Sequence, residues 1–446
     1  MTDAWQLNSL DNVATLATAG AAGEVLRLRG AGEGRSVVLA EAVDAGHKCA
    51  LTTIAAEADV VKYGAAIGRA RKAIGKGERV HSHNLVSRYD PTPKVKAGPA
   101  AHIAPDILRM LVQAALEHAG AAPEAAADFA AHCVDAELSG VSTHGLRRLP
   151  GYLARLRAGG VDGCATPVIE GDGAVLQVDG QNGIGHHVAR LASDAAVARA
   201  RELGAAVALV RGSNHFGYAG WYAARIAAHG MVGMAVSNGQ VLVGPPGAKA
   251  PIFSNDPVAL AAPGGFEFDM ATSITSRANI AASAELGEII AEGLALDSQG
   301  RPTTNAAAAL EGILLPLGGA KGFGLIAALE VLAGLLPGGA YADLVASKEA
   351  DPAQGEGTSH FLMAIDLAAC CGASAFEARM RDLAGRLAGL EMAEGQPAAR
   401  LPGVRRAASR ARGLVEGIAL DALRLAELQQ IASDIGGSLE LKEPSA

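Results

Sequence analysis

The sequence has few aromatic residues and no excess of positive charge. Aromatic residues make up 4% of the 446 residues, and only two of them are Trp, which argues against a stacking surface for bases or long glycans. The formal net charge is −8, from 38 Lys and Arg against 46 Asp and Glu. An acidic chain without a basic run is not expected to bind nucleic acid or an anionic membrane as its main activity.

Cysteine and long apolar runs are also scarce. The odd number of five Cys does not indicate a disulfide framework, and the adjacent Cys370 and Cys371 are expected to be buried thiols in a reducing compartment. The N-terminal residues MTDAWQLNSLDN include acidic residues where a signal peptide has basic ones. The most apolar stretch, 325–336, is interrupted by Glu330 and is too short to span a bilayer. We therefore expect a soluble, cytoplasmic protein.

Several motifs of nucleotide-binding and hydrolytic proteins are missing. GQNGIG at 180–185 does not fit the G-x-G-x-x-G of a Rossmann fold, and GGAKG at 318–322 does not fit a P-loop. C-x-x-C, H-E-x-x-H and G-x-S-x-G do not occur, which argues against a Cys-based zinc site, a zincin and an α/β-hydrolase. Glycine-rich backbone can still bind phosphate through its amide groups.

The remaining composition is that of a globular protein. Residues are 50% hydrophobic and 19% charged, and the length predicts two or three domains at ~150 residues each. Residues 1–90 show short strands at 13–16, 25–28 and 37–39 between Gly-rich turns, with one weakly helical stretch at 63–74. This pattern predicts a small β-rich module.

A proline-rich stretch separates this module from the rest of the chain. Four Pro within 91–105 predict a stiff linker, and an ordered strap against the larger domain is the alternative. From residue 106 onwards helices alternate with strands, which predicts an α/β domain over 106–446. The predicted strands are 175–178, 206–210, 232–237 and 361–365. The predicted helices include one that opens at Pro105 and others at 123–138, 188–203, 218–229, 321–336, 373–389 and within 404–434.

The densest polar cluster is STHGLRRLPGY at 142–152. His144, Arg148 and Tyr152 are spaced four apart, so a helical turn that starts at His144 would place them on one face. An imidazole can exchange a proton with a hydroxyl or carbonyl group, and a guanidinium can bind a carboxylate with two hydrogen bonds. The cluster suits a small carboxylate substrate, and a helix start with a solvated charged face is the alternative.

Three further segments carry polar groups. SNHFG at 213–217 follows an apolar strand, so His215 lies at a functional strand end or caps the next helix. DMATS at 269–273 is a hydroxyl-rich turn. GGAKGFG at 318–324 combines Gly-rich backbone, Lys321 and a helix start, which together favour an anion such as a pyrophosphate. A structural turn is the alternative for the last two.

The β-rich module contains a group of histidines. VHSHN at 80–84 places His81 and His83 on the same face of a predicted strand. Together with His47 they are candidates for a three-His metal site. Same-face His at a strand end are more often incidental, so we expect no metal.

Five motifs in order along the larger part carry a resemblance to a known family. They are THGLRRLPGY at 143–152, SNHFG at 213–217, FDMATS at 268–273, the segment 296–325 and LPGVRR at 401–406. Over residues 106–435 the chain resembles the malate/L-lactate dehydrogenase-like oxidoreductases. The resemblance implies a non-Rossmann NAD(P)-binding fold, in agreement with the missing G-x-G-x-x-G, and a homodimer with its active site near the subunit contact.

The family's site residues can be transferred to matching positions. By this resemblance His144 is the general acid/base, His215 is a second active-site His, and Thr143 is the hydroxyl residue before His144. Arg148 and Tyr152 match residues that bind the substrate. The family's cofactor contacts fall on positions that match Phe268, Asp269, Met270, Ala271, Thr272, Ala320, Lys321, Gly403, Val404 and Arg405.

Three positions depart from the family's pattern. Relatives usually have G-T-N-P where this chain has SNDP at 254–257, and R-G-K where it has RAN at 277–279. Some relatives have an active-site Lys just after the Asn that matches Asn238, where this chain has GQV. These departures leave open the substrate and the choice between NAD and NADP, rather than the class of reaction.

Three motifs carry a second resemblance, AGHKCALTTIA at 45–55, VVKYGAAIGRA at 60–70 and KGERVHSHN at 76–84. Over residues 10–86 the chain resembles the SAF-type module of altronate and galactarate dehydratases and the small subunit of sulfolactate sulfo-lyase. The much larger lyase part of those enzymes is not found in this chain. The module is therefore expected to recruit a separate lyase chain or to bind the hydroxy acid itself.

The two resemblances together imply an enzyme. It is expected to interconvert a small 2-hydroxy acid and its 2-oxo acid, of the sulfolactate, malate or lactate type, with NAD or NADP as cofactor. One alternative is a reductase of a cyclic imino acid such as piperideine-2-carboxylate. The other is a lyase-associated binding or regulatory subunit that acts through residues 1–90.

Overall fold

The computed structural model describes residues 2–6, 8–62, 65–81, 83–87, 101–245, 247–347, 350–393, 396–439 and 441. The chain divides into two compact units, unit 1 (Met1–Val95) and unit 2 (Lys96–Ala446). Within the predicted linker at 91–105, residues 91–100 lie outside the described part. The end of that stretch is ordered, because Ala101–Ile103 forms a strand and Pro105 begins a helix.

Unit 1 is built from nine described strands. They are β1 (Thr2–Gln6), β2 (Val13–Leu16), β3 (Val25–Gly30), β4 (Ser36–Val38), β5 (Lys48–Ala50), β6 (Asp59–Lys62), β7 (Ala65–Ala70), β8 (Arg79–Val80) and β9 (Leu85–Ser87). One sheet has the order β4-β3-β1-β2-β5-β8 and a second has the order β6-β7-β9. In β3 the buried Leu26 and Leu28 alternate with exposed neighbours, which is the period that a half-buried strand requires.

Two expectations for unit 1 are wrong. The stretch 63–74, predicted as weakly helical, contains β7, which pairs with β6 and β9. Pairing with two neighbouring strands here outweighs the local helix propensity of the Ala residues. His81 and His83 do not lie on a strand, because β8 ends at Val80, His81 lies in a bend and His83 in a turn.

Unit 2 alternates helices and strands, as predicted. Its strands are β10 (Ala101–Ile103), β11 (Val168–Glu170), β12 (Val175–Asp179), β13 (Ala205–Ser213), β14 (Met231–Ser237), β15 (Val258–Ala262), β16 (Phe266–Met270), β17 (Ala295–Leu296), β18 (Ile313–Leu314), β19 (Thr358–Asp366) and β20 (Ile418–Leu420). Its helices are α1 (Pro105–His118), α2 (Pro123–Leu138), α3 (Leu149–Ala158), α4 (Gly185–Leu203), α5 (Ala219–Ala227), α6 (Arg277–Glu285), α7 (Ala306–Leu310), α8 (Ala320–Glu330), α9 (Ala373–Ala388), α10 (Val404–Glu416) and α11 (Ala422–Asp434).

A seven-stranded mixed sheet lies at the centre of unit 2, in the order β11-β12-β13-β19-β14-β15-β16. β12 and β13 are parallel, and the other neighbouring pairs are antiparallel. Helices α4 and α5 cover one face, whereas Leu329 of α8 and Ala333 of the π-helical turn after it pack on the other. Because β13 and β19 are covered on both faces, they read as continuous apolar runs. A second core joins α1, α2, α3 and α11.

Three details differ from the expectations for unit 2. The region 404–434 contains two helices, α10 and α11, with β20 between them, because Gly417 (φ +90°) ends α10 and the chain then pairs with β10. The predicted helix 321–336 changes to a π-helical turn at Val331–Leu335. Cys370 and Cys371, expected to be buried, are exposed in the turn before α9. Within the described ranges, no helix is long and apolar enough to cross a membrane.

Candidate active site

The SNHFG motif begins at Ser213, the last residue of β13, in the middle of the sheet. Asn214 is fully buried, and its Oδ1 accepts hydrogen bonds from the Arg155 guanidinium (2.9 Å) and from the Glu356 N–H (3.1 Å). Arg155 also forms a buried ion pair with Glu356. The Asn214 amide donates in turn to the carbonyl oxygen of Gly183 (2.9 Å). This buried network fixes the chain directly before His215.

The STHGLRR segment is held by two short turns rather than by one continuous helix. 3₁₀ turns at Ser142–His144 and Leu146–Arg148 flank Gly145, so a single helical turn starting at His144 does not form. The helix is interrupted because the Glu137 side chain packs against Gly145, where a Cβ would lie 2.2 Å from Glu137 Oε1. The same oxygen accepts the N–H of the residue that follows Gly145 at 2.8 Å.

The structure nevertheless brings the predicted residues of this segment close to His215. The rings of His144 and His215 are nearly parallel, at 11°, with centroids 5.7 Å apart. Thr143 Oγ1 lies 3.0 Å from His144 Nδ1, and Arg148 Nε donates to the Thr143 carbonyl oxygen at 3.0 Å. The Thr143 side chain therefore orients the His144 ring, and its backbone orients Arg148.

Tyr152 reaches the same pair of rings from α3. Its hydroxyl is 2.5 Å from His215 Nδ1 and 2.8 Å from the His215 carbonyl oxygen. Burial, followed by the negative charge of Glu356, raises the pKa of Tyr152 well above its usual value. The hydroxyl thus stays protonated at neutral pH and holds His215 through two contacts.

Two buried histidines that sequence reasoning missed complete this cluster. The His186 ring lies 5.3 Å from the Tyr152 ring and 4.7 Å from the His132 ring. Burial lowers the pKa of His132 to about 4 and the pKa of His186 well below its usual value, so both rings are neutral at pH 7. Their Nδ1 atoms are buried, and neither has a hydrogen-bond partner among the described residues.

Gly217 is the sequence signal that points to His132. It has φ +82°, and a Cβ there would lie 2.1 Å from Cε1 of the His132 ring. The next residue, Tyr218, donates its N–H to His132 Nε2 at 3.0 Å. Only glycine lets the chain pass this close to the ring. The motif indicates a close approach, but the sequence does not say which residue is approached.

His360 is a third buried histidine that sequence reasoning missed. It lies on β19, with Nε2 2.9 Å from Ser213 Oγ on β13 and Nδ1 2.8 Å from Ser237 Oγ on β14. The Phe216 ring stacks on it with centroids 4.4 Å apart. Burial lowers the pKa of His360 to about 3. This neutral imidazole therefore links three central strands and supports the residue that follows His215.

Two of the predicted cofactor segments meet beside β16, which contains Phe268, Asp269 and Met270 and is followed by Ala271. Asp269 Oδ2 accepts a hydrogen bond from Arg406 Nη2 at 3.0 Å, so the ionic partner is Arg406, which the prediction did not name. Val404 and Arg405 open α10 directly after Gly403. A Cβ on Gly403 (φ +105°) would lie 2.7 Å from the Gly265 carbonyl oxygen, so the start of α10 lies against the β15–β16 turn.

The third predicted segment lies beside Thr272, whose carbonyl oxygen accepts the Leu317 N–H at 2.9 Å. Ala320 and the exposed Lys321 then form the first turn of α8. No side chain caps this helix start, and a Cβ on either residue of 318–319 would have nothing within 4 Å. Uncapped N–H groups, open space and an ammonium group suit a phosphate.

The departure at 254–257 lies in the loop that enters β15. Asp256 is fully buried, and burial, followed by the charge of the buried Glu330, raises the pKa of Asp256 well above its usual value. The buried carboxyl of Asp256 is therefore shifted towards its protonated form. The Thr272 hydroxyl donates to the Asn255 carbonyl oxygen at 2.8 Å, which ties this loop to the end of β16.

The three candidate metal-binding histidines lie in unit 1. The structure brings His47 and His81 together, with ring centroids 5.2 Å apart, whereas His83 lies in the turn after His81. In the described part of the chain no group of three or more His, Cys, Asp or Glu is arranged to hold a metal ion.

Several characterised proteins resemble unit 2. The L-sulfolactate dehydrogenase of Methanothermobacter thermautotrophicus is 35% identical, over 72% of this chain and 94% of that protein. The Delta(1)-pyrroline-2-carboxylate/Delta(1)-piperideine-2-carboxylate reductase of Pseudomonas syringae pv. tomato is also 35% identical, over 74% of this chain and 95% of its own length. The structure of sulfolactate dehydrogenase from Methanocaldococcus jannaschii superposes with a TM-score of 0.70 at 30% identity, over 76% of this chain and 98% of that chain.

The family matches cover both units and agree with both resemblances predicted from the motifs. Residues 103–429 match the malate/L-lactate dehydrogenase family, and residues 2–88 match the altronate/galactarate dehydratase SAF domain. The predicted fold class is confirmed by the structural neighbours, which are dehydrogenases with the same mixed α/β fold. The chain therefore belongs to the malate/L-lactate dehydrogenase family of oxidoreductases.

Proposed function

We propose that unit 2 interconverts a small 2-hydroxy acid and its 2-oxo acid with NAD or NADP as cofactor. The observation that carries the proposal is the parallel stack of His144 and His215, with Thr143 and Arg148 on one side and Tyr152 on the other. A titratable imidazole beside a guanidinium is the pair that a 2-hydroxy carboxylate requires.

Each of these residues has a separate role in the proposed reaction. Arg148 binds the substrate carboxylate through its terminal Nη groups, because its Nε already donates to Thr143. His144 takes the hydroxyl proton during oxidation and returns it to the oxo oxygen during reduction. Since Thr143 occupies Nδ1, the transfer takes place at Nε2. A positioned imidazole of this kind contributes roughly 10²–10⁴ in rate.

His215 and Tyr152 position the reacting hydroxyl group in this proposal. The hydroxyl of Tyr152 contacts both Nδ1 and the carbonyl oxygen of His215, so the ring is held in one orientation. The neutral His132 and His186 exclude water from the rear of the cluster without adding charge. Holding the reactants in position supplies much of the rate acceleration.

The segments at β16, α8 and α10 fit a dinucleotide. The uncapped start of α8, with Ala320 and Lys321, is the proposed site of the pyrophosphate. Phe268–Thr272 and Gly403–Arg405 are the proposed contacts of the remaining parts. The nicotinamide ring, when bound, accepts a hydride from the substrate or donates one to it.

A reductase of a cyclic imino acid is the second candidate. The Pseudomonas syringae reductase is as similar to this chain as the sulfolactate dehydrogenase is, at 35% identity. Reduction of a C=N bond needs the same carboxylate-binding Arg148 and the same proton donor. For the assembly, we propose a homodimer and, through residues 1–90, the recruitment of a lyase chain.

A substrate panel tests this proposal. NADH and NADPH oxidation is measured with the full chain and sulfopyruvate, oxaloacetate, pyruvate or piperideine-2-carboxylate, and we expect turnover with one 2-oxo acid. His144→Ala should lower kcat at least 10²-fold, whereas His118→Ala, at an exposed position on α1, should leave it unchanged. Turnover of piperideine-2-carboxylate alone would favour the second candidate. Full activity of His144→Ala would reject the proposed acid/base residue.

A further inference from the structure

Unit 1 contains an imidazole pair of its own, formed by His47 and His81. The antiparallel register of β5 and β8 pairs Lys48 with Val80 and Cys49 with Arg79. One position further, the same register places His47 opposite His81, and their rings are 5.2 Å apart with an interplanar angle of 29°. Arg79, two residues before His81, is close enough for its positive charge to lower the pKa of the His81 ring.

A buried amide fixes the turn that carries His81. Asn84 is 1% exposed, and its Oδ1 accepts the His81 N–H at 3.0 Å while its Nδ2 donates to the Arg79 carbonyl oxygen at 2.8 Å. The N–H groups of Asn84 and Leu85 both donate to the His81 carbonyl oxygen. The interior of unit 1 thus holds His81 in place although its side chain is exposed.

The groups around this pair are mostly cationic. The pKa of His81 is lowered first by desolvation, and then by the positive charges of His47, Arg79, His83 and Lys48. An anion would relieve this mutual repulsion.

Two acidic residues also lie on the elements that surround the pair. Glu41 accepts the backbone N–H of Arg79 at 2.9 Å, and the main-chain oxygen of Asp44 accepts the N–H of His47. The Nε of Arg79 is buried and has no hydrogen-bond partner among the described residues. The residue as a whole is half-buried, so any contact with a ligand is made by its terminal Nη groups rather than by Nε.

We propose that His47, Arg79 and His81 form a binding site for a small organic dianion, with two carboxylates or a carboxylate and a sulfonate. The guanidinium binds one anionic group, and the imidazoles donate hydrogen bonds to the other once they are protonated. Because the hydrogen-bond donors belong to two rings and a guanidinium, they suit a ligand whose two charges lie on separate carbons. A compact ion such as sulfate fits them less well.

The direction of proton movement distinguishes this site from a metal site. His81 is held towards its neutral form in the empty site, so a dianion must bring protons with it and binding must tighten as the pH falls. A metal ion needs neutral imidazoles, and its binding releases protons. Titration calorimetry in two cationic buffers of different ionisation enthalpy measures the sign directly.

The experiment uses the full chain with malate as probe, in a background of Arg148→Gln to silence the proposed site in unit 2. We expect proton uptake, and at least a tenfold loss of malate affinity in both Arg79→Gln and His81→Gln. The matched control is Arg69→Gln, an exposed charge on β7 of the same unit, which should change the affinity by less than twofold. Sulfate should bind at least tenfold more weakly than malate.

Several results would overturn the proposal: an unchanged malate affinity in both variants, sulfate binding as tight as malate, or Zn²⁺ binding with proton release and no malate binding. The emission of Trp5, measured in a Trp221→Phe background, reports whether unit 1 is folded in each variant. If Arg79→Gln does not fold, His47→Gln replaces it with the same expected loss. Dehydrogenase turnover of His81→Gln without the Arg148 change should equal that of the unaltered chain, which separates failure of this site from failure of the proposed function.

Discussion

Imidazole pairs occur in both units, but their surroundings differ. In unit 2 the His144–His215 pair is supported by buried groups, among them Tyr152 and the neutral His186. In unit 1 the His81 ring is exposed, and only the turn beneath it is fixed from the interior, by Asn84.

The supporting residues of unit 2 therefore act through their geometry, whereas the groups around the pair in unit 1 act through their charge. Burial in unit 2 keeps the supporting imidazoles uncharged, so they act through shape and hydrogen bonding. Exposure in unit 1 leaves the ring responsive to pH and to nearby charge. Substitutions of the buried residues that support the His144–His215 pair should therefore affect unit 2 strongly. The affinity of the pair in unit 1 for its ligand should instead respond to the charge of the neighbouring residues.

Removal of the buried Arg155 is expected to have the largest effect. Arg155→Met leaves Glu356 buried without its partner and removes a donor to Asn214. Breaking a buried ion pair in this way costs about 3–5 kcal/mol, so unit 2 should lose stability and activity together. Denaturant unfolding followed by Trp221 emission in a Trp5→Phe background isolates unit 2. Arg157→Met, exposed on the same helix, should change stability by less than about 0.5 kcal/mol.

The contact between Gly217 and His132 is expected to be the next most sensitive. Gly217→Ala strains a residue at φ +82° and places a Cβ 2.1 Å from the ring. Gly230 has nearly the same φ, +80°, but nothing lies within 4 Å of its Cβ position. Gly230→Ala therefore pays only the backbone strain of about 1–2 kcal/mol, and Gly217→Ala should lose about 1–3 kcal/mol more. If Gly217→Ala and Gly230→Ala lost the same unfolding free energy in this assay, the His132 ring would move aside at no cost in free energy.

Acid should weaken unit 2 through its buried imidazoles. The folded pKa of His360, about 3, lies below the value of 6.5 in the unfolded chain. The unfolded state therefore binds protons first, and stability is lost as the pH falls below 6.5. Between pH 7 and pH 5 this one residue accounts for roughly 2 kcal/mol.

His360→Gln should reduce the fall in unfolding free energy between pH 7 and pH 5 by that amount. His118→Gln, at an exposed position, serves as the control and should leave the fall unchanged. An identical pH dependence in His360→Gln and the unaltered chain would mean that His360 is already protonated in the folded state.

Local patterns predicted the fold well where one chain segment determines its own structure. Helix α2 has the predicted bounds because Pro123 starts it and its apolar residues recur with helical spacing. β7 was missed because its partners β6 and β9 determine it. β20 was missed because its pairing with β10 joins residues about 300 positions apart in the chain.

Sequence motifs located the candidate site, but not the buried residues that support it. His144, Arg148, Tyr152 and His215 were named from their spacing and from the family resemblance. His132 and His360 were missed, since a single buried His in a helix or strand reads as core. Their function as supports depends on contacts with Gly217 and with Ser213 and Ser237, which no local pattern reveals.

The smallest expected effect concerns one hydrogen bond to His144. Thr143→Ala removes the hydroxyl 3.0 Å from Nδ1 but leaves the carbonyl oxygen that binds Arg148. A hydrogen bond of this kind is worth about 1 kcal/mol, so kcat should fall roughly five- to tenfold while KM for the carboxylate substrate changes little. Thr143→Ser keeps the hydroxyl but lacks the methyl group, and its kcat should equal that of the unaltered chain. If the Thr methyl group had a purely structural role instead, kcat would stay low in Thr143→Ser. If both variants instead raised KM and spared kcat, Thr143 would act on Arg148 rather than on His144.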